Sequence, residues 1–196
     1  MANRSYIYGL KNGKHYGIGE CSYKIPYSYQ LLTAYNNKVV DSHLFDKIVG
    51  IEADYNKGKE ALYWFLDYLA AGKNMHEQEE FEKQVAATKQ FLDAISAELV
   101  LLENGEIYAL YQSKEGTYLD AAGLERVNGF ACEDYKWIGE DIDSLKSFKI
   151  NPQDLFDIPE TEKYFKWLLE LKDNWKEKLV LDSWRTILYF HFNEEK

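Results

Sequence analysis

The stretch from Lys47 to Ala71, KIVGIEADYNKGKEALYWFLDYLAA, limits the fold more than any other part of the chain. It reads as a strand, a short polar turn marked by Gly58, and a helix opened by Lys59 and Glu60. From Ala61 to Ala71 the only acid is Asp67; the rest are Ala, Leu, Tyr, Trp and Phe. A helix that is apolar on every side is normally covered on every side. At roughly 11 to 14 residues it is far short of the ~20 apolar residues a bilayer span needs. The expectation is therefore a buried helix near 59–71 with other elements packed round it. Gly72 and Asn74 would close it. A lone acid in such a helix needs a partner or a shifted pKa. An ion pair or hydrogen bond from Arg, Lys or Tyr is expected for Asp67 ahead of a catalytic role.

Other segments follow their periodicities. Ser5–Leu10 and His15–Tyr23 read as strands joined by an Asn-Gly turn, although Gly17 and Gly19 weaken the second. Pro26 suits a first helical turn, with a short helix to Asn36 and Asn37. Val39–Phe45 is open between loop and helical turn. Glu77–Ala97 is amphipathic: Phe81, Val85, Thr88, Leu92, Ile95 and Leu99 recur at helical spacing, and the acidic start complements the helix dipole. Glu98–Gln112 is either a hairpin about Asn104-Gly105 or a strand followed by a helical turn. Residues 118–131 suggest a short helix. Glu133–Asp143, EDYKWIGEDID, reads as an acidic loop or edge strand. Pro159 opens a long helix whose apolar face is Phe165, Leu168, Leu169, Leu171, Trp175 and Leu179. Thr186–Phe192 is β-branched and aromatic, and a terminal strand inside the sheet is expected. Strands at both ends and in the middle, with helices between, predict one α+β domain over 1–196: a mixed or antiparallel sheet with helices packed round it.

Charge narrows the function. Lys and Arg total 23 against 33 Asp and Glu, a balance of −10. Binding to phosphate backbones or anionic membranes draws on clustered cations, so neither nucleic acid nor membrane is an expected partner. A basic protein partner would be steered in; the plainer reading is that acidity serves solubility. Two cysteines, Cys21 and Cys132, do not make a disulfide scaffold. The opening MANRSYIYGL has no apolar run of signal-peptide length, and a cytoplasmic location with reduced thiols is expected.

Catalytic signatures are missing. Gly58-Lys59 has Glu60 where a P-loop needs a hydroxyl, and no Gly-x-Ser-x-Gly elbow occurs. His15, His43, His76 and His191 show no ligand spacing. No catalytic residue, metal or cofactor is assigned. Asp141 and Asp143 would share one side of a strand. Among 31 aromatic residues (16 Tyr, 10 Phe and 5 Trp), Tyr135 and Trp137, set among acids, are the exposed candidates. The expected partner-binding set is Glu133, Asp134, Tyr135, Trp137, Glu140, Asp141 and Asp143.

Met1–Tyr6, MANRSY, resembles the start of a group of uncharacterised bacterial proteins that open Met-Ala-Asn-Arg-Ser-Tyr. Val49–Leu62, VGIEADYNKGKEAL, and Phe91–Ile95 with the acidic-apolar stretch after it look like that group too. The group is similar in size and acidity to immunity proteins encoded beside contact-delivered toxins. The resemblance implies neutralisation of a basic toxin domain by occlusion, with no catalytic residue to carry over. The alternative is an enzyme that uses carboxylates for acid–base or metal chemistry.

Overall fold

The computed structural model describes residues 4–44, 49–104 and 136–189. Five strands form one sheet: β1 (Arg4–Lys11), β2 (Lys14–Ser22), β3 (Lys38–Asp41), β4 (Val49–Asp54) and β5 (Leu99–Glu103). Their order is β2-β1-β5-β4-β3, and every neighbouring pair is antiparallel. Asn12 and Gly13, both at positive φ, make the tight β1–β2 turn, since two left-handed residues match the twist of the strands. The helices are α1 (Tyr27–Leu32), α2 (Tyr55–Gly72), α3 (Gln78–Asp93), α4 (136–148), α5 (Pro159–Tyr164) and α6 (Lys166–Leu179). The architecture is α+β, as the pattern of elements predicts.

Alternation along the strands sorts the sheet into two faces. Ile7, Ile51, Ala53, Val100 and Leu102 join the main core with the helices. Tyr6, Tyr8 and Leu101 lie on the other face, where Leu188, Leu10, Val40 and Leu44 pack with them. Burial of a large apolar side chain stabilises by roughly 1.5–3 kcal/mol, so the first face dominates the fold.

α2 begins four residues earlier than the turn at Gly58 suggests. Asp54 caps it, its carboxylate accepting from the Lys57 amide at 3.1 Å. Gly58 is instead a contact residue: a Cβ there would lie 2.0 Å from the Leu32 carbonyl oxygen. Ala61, Leu62, Phe65, Leu66 and Leu69 are buried, but Tyr63, Trp64 and Tyr68 are half-buried and Asp67 is exposed. The helix is thus not covered on every side. Asp67 does take the expected ion pair, with Lys89 of α3, but at the surface. Lys73, not Gly72, holds the left-handed cap position, with φ 54°. Gly72 is kept small by the Pro152 carbonyl, 2.7 Å from where a Cβ would stand.

The α3 stripe is buried at Phe81, Val85, Thr88 and Leu92. Val39, Val40 and Asp41 lie in strand β3, neither the loop nor the helical turn expected there, because pairing with Val49–Ile51 of β4 extends the segment. The helix expected to run on from Pro159 is broken at Phe165, whose φ of −131° and ψ of 42° are not helical. Phe165 is nevertheless buried, and Leu168, Leu171, Trp175 and Leu179 of α6 are buried with it.

The terminal strand does not form through residue 189. Trp184 makes one isolated bridge to Gly19, and the Arg185 amide donates to the Ile18 carbonyl at 2.9 Å. Ile187 and Tyr189 are exposed while Leu188 is buried. Gly17 permits the close approach: a Cβ would lie 2.2 Å from the Thr186 carbonyl oxygen. Residues 105–135 and 190–196, with the readings placed on them, lie outside the described residues. No helix among the described residues is long and apolar enough to cross a membrane.

Candidate functional site

The acidic stretch expected to be a loop or edge strand enters α4 at residue 136. Ile138, Ile142 and Leu145 recur at spacings of four and three and are buried, the spacing that puts side chains on one helix face. Trp137 is therefore not an exposed anchor. It is half-buried, edge-on to Tyr27 and Trp167 with ring centroids 6.1 and 5.5 Å away. Asp141 and Asp143 point in different directions, because two residues on a helix subtend about 200°. The Asp141 carboxylate accepts from the Trp167 indole N–H at 2.7 Å. Burial raises its pKa, the indole bond opposes the rise, and neighbouring Glu140 adds to it. Asp143 accepts from the Tyr35 hydroxyl at 3.0 Å and pairs with Lys146 at 3.1 Å. Glu140 remains exposed. Glu133, Asp134 and Tyr135 lie outside the described residues.

Exposed aromatic surface appears at the far end of α4. Phe148 and Tyr164 are each 48% exposed and stack with centroids 5.5 Å apart. Phe165 closes the cluster edge-on to Phe148 at 5.7 Å. Asp154, Asp157, Glu160 and Glu162 lead up to Tyr164; all are exposed, and none has an ion-pair partner among the described residues. Glu160 and Tyr164, four apart on α5, share a helix face. Lys163 sits over the Tyr164 ring at 4.8 Å. The combination of acids and rings therefore exists, one helix further on than the residue pattern suggests.

A second constellation lies on the outer sheet face. Glu103 ends β5 and is 2% exposed. Its carboxylate accepts from the Tyr8 hydroxyl, from the Ser42 hydroxyl at 2.6 Å and from the His43 amide at 3.2 Å. Gly50 leaves room for it, since a Cβ there would stand 2.9 Å from Glu103 Cγ. Ser42–Leu44 thereby becomes a strap carried from the β3 edge toward β1 and β2. His43 Nδ1 then meets His15 Nε2 of β2 at 2.9 Å, one ring donating to the other. Burial, and next the Glu103 charge, push the Tyr8 hydroxyl far above its usual range. Burial, and next His43, lower the His15 pKa. Three donors satisfy Glu103 as a buried acceptor. No group of three His, Cys, Asp or Glu residues suited to a metal occurs among the described residues. A cleft lined by Glu80, Gln84, Trp175, Lys176, Leu181 and Asp182 holds about 240 Å³, below the roughly 300–1,000 Å³ of small-molecule sites.

The residue pattern misses this constellation because its members are spread from residue 8 to 103. An acid at the end of an otherwise apolar strand, Glu103 after Leu99–Leu102, is the one local signal of it. The model of a family described as Domain of unknown function (DUF7822) matches residues 7–146, which is 140 of the 196 residues. No curated protein and no solved structure matches the chain.

Proposed function

We infer that this chain, which belongs to the DUF7822 family, is a cytoplasmic bacterial protein that binds a basic protein domain, and that it acts as an immunity protein occluding a toxin. The observation that carries this reading is the exposed run Asp154, Asp157, Glu160 and Glu162, without ion pairs among the described residues, beside the stacked Phe148–Tyr164 pair. Aromatic residues desolvated at the centre of an interface carry most of its energy, while rim carboxylates steer a cationic partner. A net charge of −10 adds long-range attraction of the same sign. Glu140, exposed on α4, adds to the same negative field.

Binding kinetics against the purified product of the adjoining gene test this. Association is expected to slow about tenfold or more between 20 and 300 mM salt, because exposed charges are screened over roughly 8–10 Å. Phe148→Ala with Tyr164→Ala is expected to speed dissociation; Glu160→Gln with Glu162→Gln is expected to slow association. Absence of binding at low salt overturns the reading.

A second reading, an enzyme using carboxylates, draws on Glu103 with Tyr8, His15 and His43 around it. Perturbed titratable groups cluster at functional sites, though structural networks perturb them too. The complete hydrogen bonding of Glu103 favours the binding reading.

A further inference from the structure

The half-exposed Tyr164 ring already carries a cation of its own chain. Phe148 stacks on it at 5.5 Å, Phe165 meets it at a steep angle at 6.5 Å, and the Lys163 ammonium stands 4.8 Å from its centroid. A cation within about 6 Å of a ring centroid is drawn to the negative face of the π-system. Among the described residues no other cation stands over this ring. Lys163 is exposed and follows Glu160 and Glu162 closely, yet it makes no ion pair among the described residues. Its resting place is the ring. From 154 to 164 it is the one cation set against four acids, Asp154, Asp157, Glu160 and Glu162. A cation-binding face in a negative field is thus covered by the chain's own ammonium.

We propose that Tyr164 is the seat of an arginine side chain of the basic partner, and that Lys163 is a resident cation which that arginine must displace. This rests on the reading of the Phe148–Tyr164 surface as the docking face. A guanidinium is planar and stacks flat on a ring. Its N–H donors stay free in the plane for a carboxylate such as Glu160, which shares the helix face of Tyr164. It is also more weakly hydrated than an ammonium, so it loses less on leaving water. Lys163 has neither advantage, being a compact and strongly hydrated point charge. Once displaced it stays tethered beside the site, and like charges juxtaposed at an interface oppose binding. Lys163 therefore sets a threshold. A guanidinium clears it; an incoming lysine, which only exchanges one ammonium for another, does not.

Tetra-arginine amide and tetra-lysine amide, titrated into the full chain at about 150 mM salt and followed at the Tyr164 ring resonances by NMR, test this without the partner. Tetra-arginine is expected to shift those resonances saturably, and to bind about threefold or more tightly than tetra-lysine. Lys163→Gln should tighten tetra-arginine by about threefold, the scale of one exposed cation–π contact. Lys83→Gln, which removes an equal charge from the surface of α3, should leave the affinity at Tyr164 nearly unchanged. In a Tyr164→Leu background, read at the Phe148 ring, Lys163→Gln should give no gain. No saturable shift at Tyr164, equal affinity for the two peptides, equal effects of the two lysine substitutions, or a gain that persists without the Tyr164 ring each overturns the proposal. The peptides stand in for partner side chains alone. A failed pairing with the adjoining gene product therefore leaves this result readable, and a failed titration leaves the occlusion reading to its own kinetics.

Discussion

Tyr8 and Glu103 lie 95 positions apart in the chain, yet they make one buried hydrogen bond. The cost of losing it is set by burial. Glu103 keeps the donors from Ser42 and His43 when Tyr8 becomes Phe, but one lone pair of a nearly inaccessible carboxylate is left short. An unsatisfied buried group costs about 1–3 kcal/mol. Tyr8→Phe should therefore lower the unfolding free energy from urea titration by about 1–3 kcal/mol, seen as a lower midpoint with the slope unchanged; an unmoved midpoint would refute the structural weight given to Glu103. Gly58 supplies a second case in which contact overrides propensity. In a helix interior Ala is ordinarily better than Gly by about 1 kcal/mol. Here the added Cβ would meet the Leu32 carbonyl oxygen at 2.0 Å, a backbone atom that cannot swing away. Gly58→Ala should consequently destabilise, by about 2 kcal/mol or more as overpacking does, and thermal denaturation reads the sign directly.

At the scale of elements, what was legible depended on the distance over which each element is specified. α3 is declared by its own period, and the β1–β2 hairpin by Asn12-Gly13. Read locally, Gly58 looks like punctuation and puts the start of α2 too late; its reason is α1, which packs on it through Leu32. Residues 136–143 read as an acidic loop since Glu140, Asp141 and Asp143 hide a buried stripe of only Ile138, Ile142 and Leu145. The break at Phe165 has no Gly or Pro to announce it. Of the expected site, Glu140 stays on the surface, whereas Trp137 and Asp141 are drawn into packing with Tyr27 and Trp167. The end of α2 carries a prediction of its own. Lys73 occupies a left-handed cap at φ 54°, a conformation that costs a non-glycine residue roughly 1–2 kcal/mol. Its ion pair with Glu82 lies at the surface, where solvent screening and side-chain entropy leave such pairs little net worth. Relief of backbone strain outweighs the lost pair. Lys73→Gly should raise the melting temperature by a few degrees, and a fall would show that the pair dominates.

For the whole molecule, pH separates two sets of groups with different windows. His15 titrates below its ordinary 6.5 in the fold, because burial and then His43 disfavour its charged form. The unfolded chain thus takes up that proton first as pH falls. Its contribution is complete above about 6.5 and is lost as pH drops toward the lower folded value. Glu77, Glu82 and Asp93 are lowered in turn, Glu77 and Glu82 by bonds from Lys176 and Lys73, Asp93 by the Tyr63 hydroxyl. Their contribution disappears only below the ordinary carboxylate range. Asp141 has the opposite sign: burial raises it, so the stability it lends at low pH is lost as pH rises through its folded value. Between pH 7.5 and 5.5 a further effect opposes His15, since protonation reduces the self-repulsion of a chain with net charge −10. Repulsion is shared by the whole surface and changes little with one side chain, whereas the His15 contribution vanishes when the imidazole is replaced. Melting curves of the unaltered chain and of His15→Gln at those two pH values, in metal-free buffer, therefore isolate it. The unaltered chain should lose more stability on acidification than the variant does; equal losses would mean that the His15–His43 contact is not linked to folding.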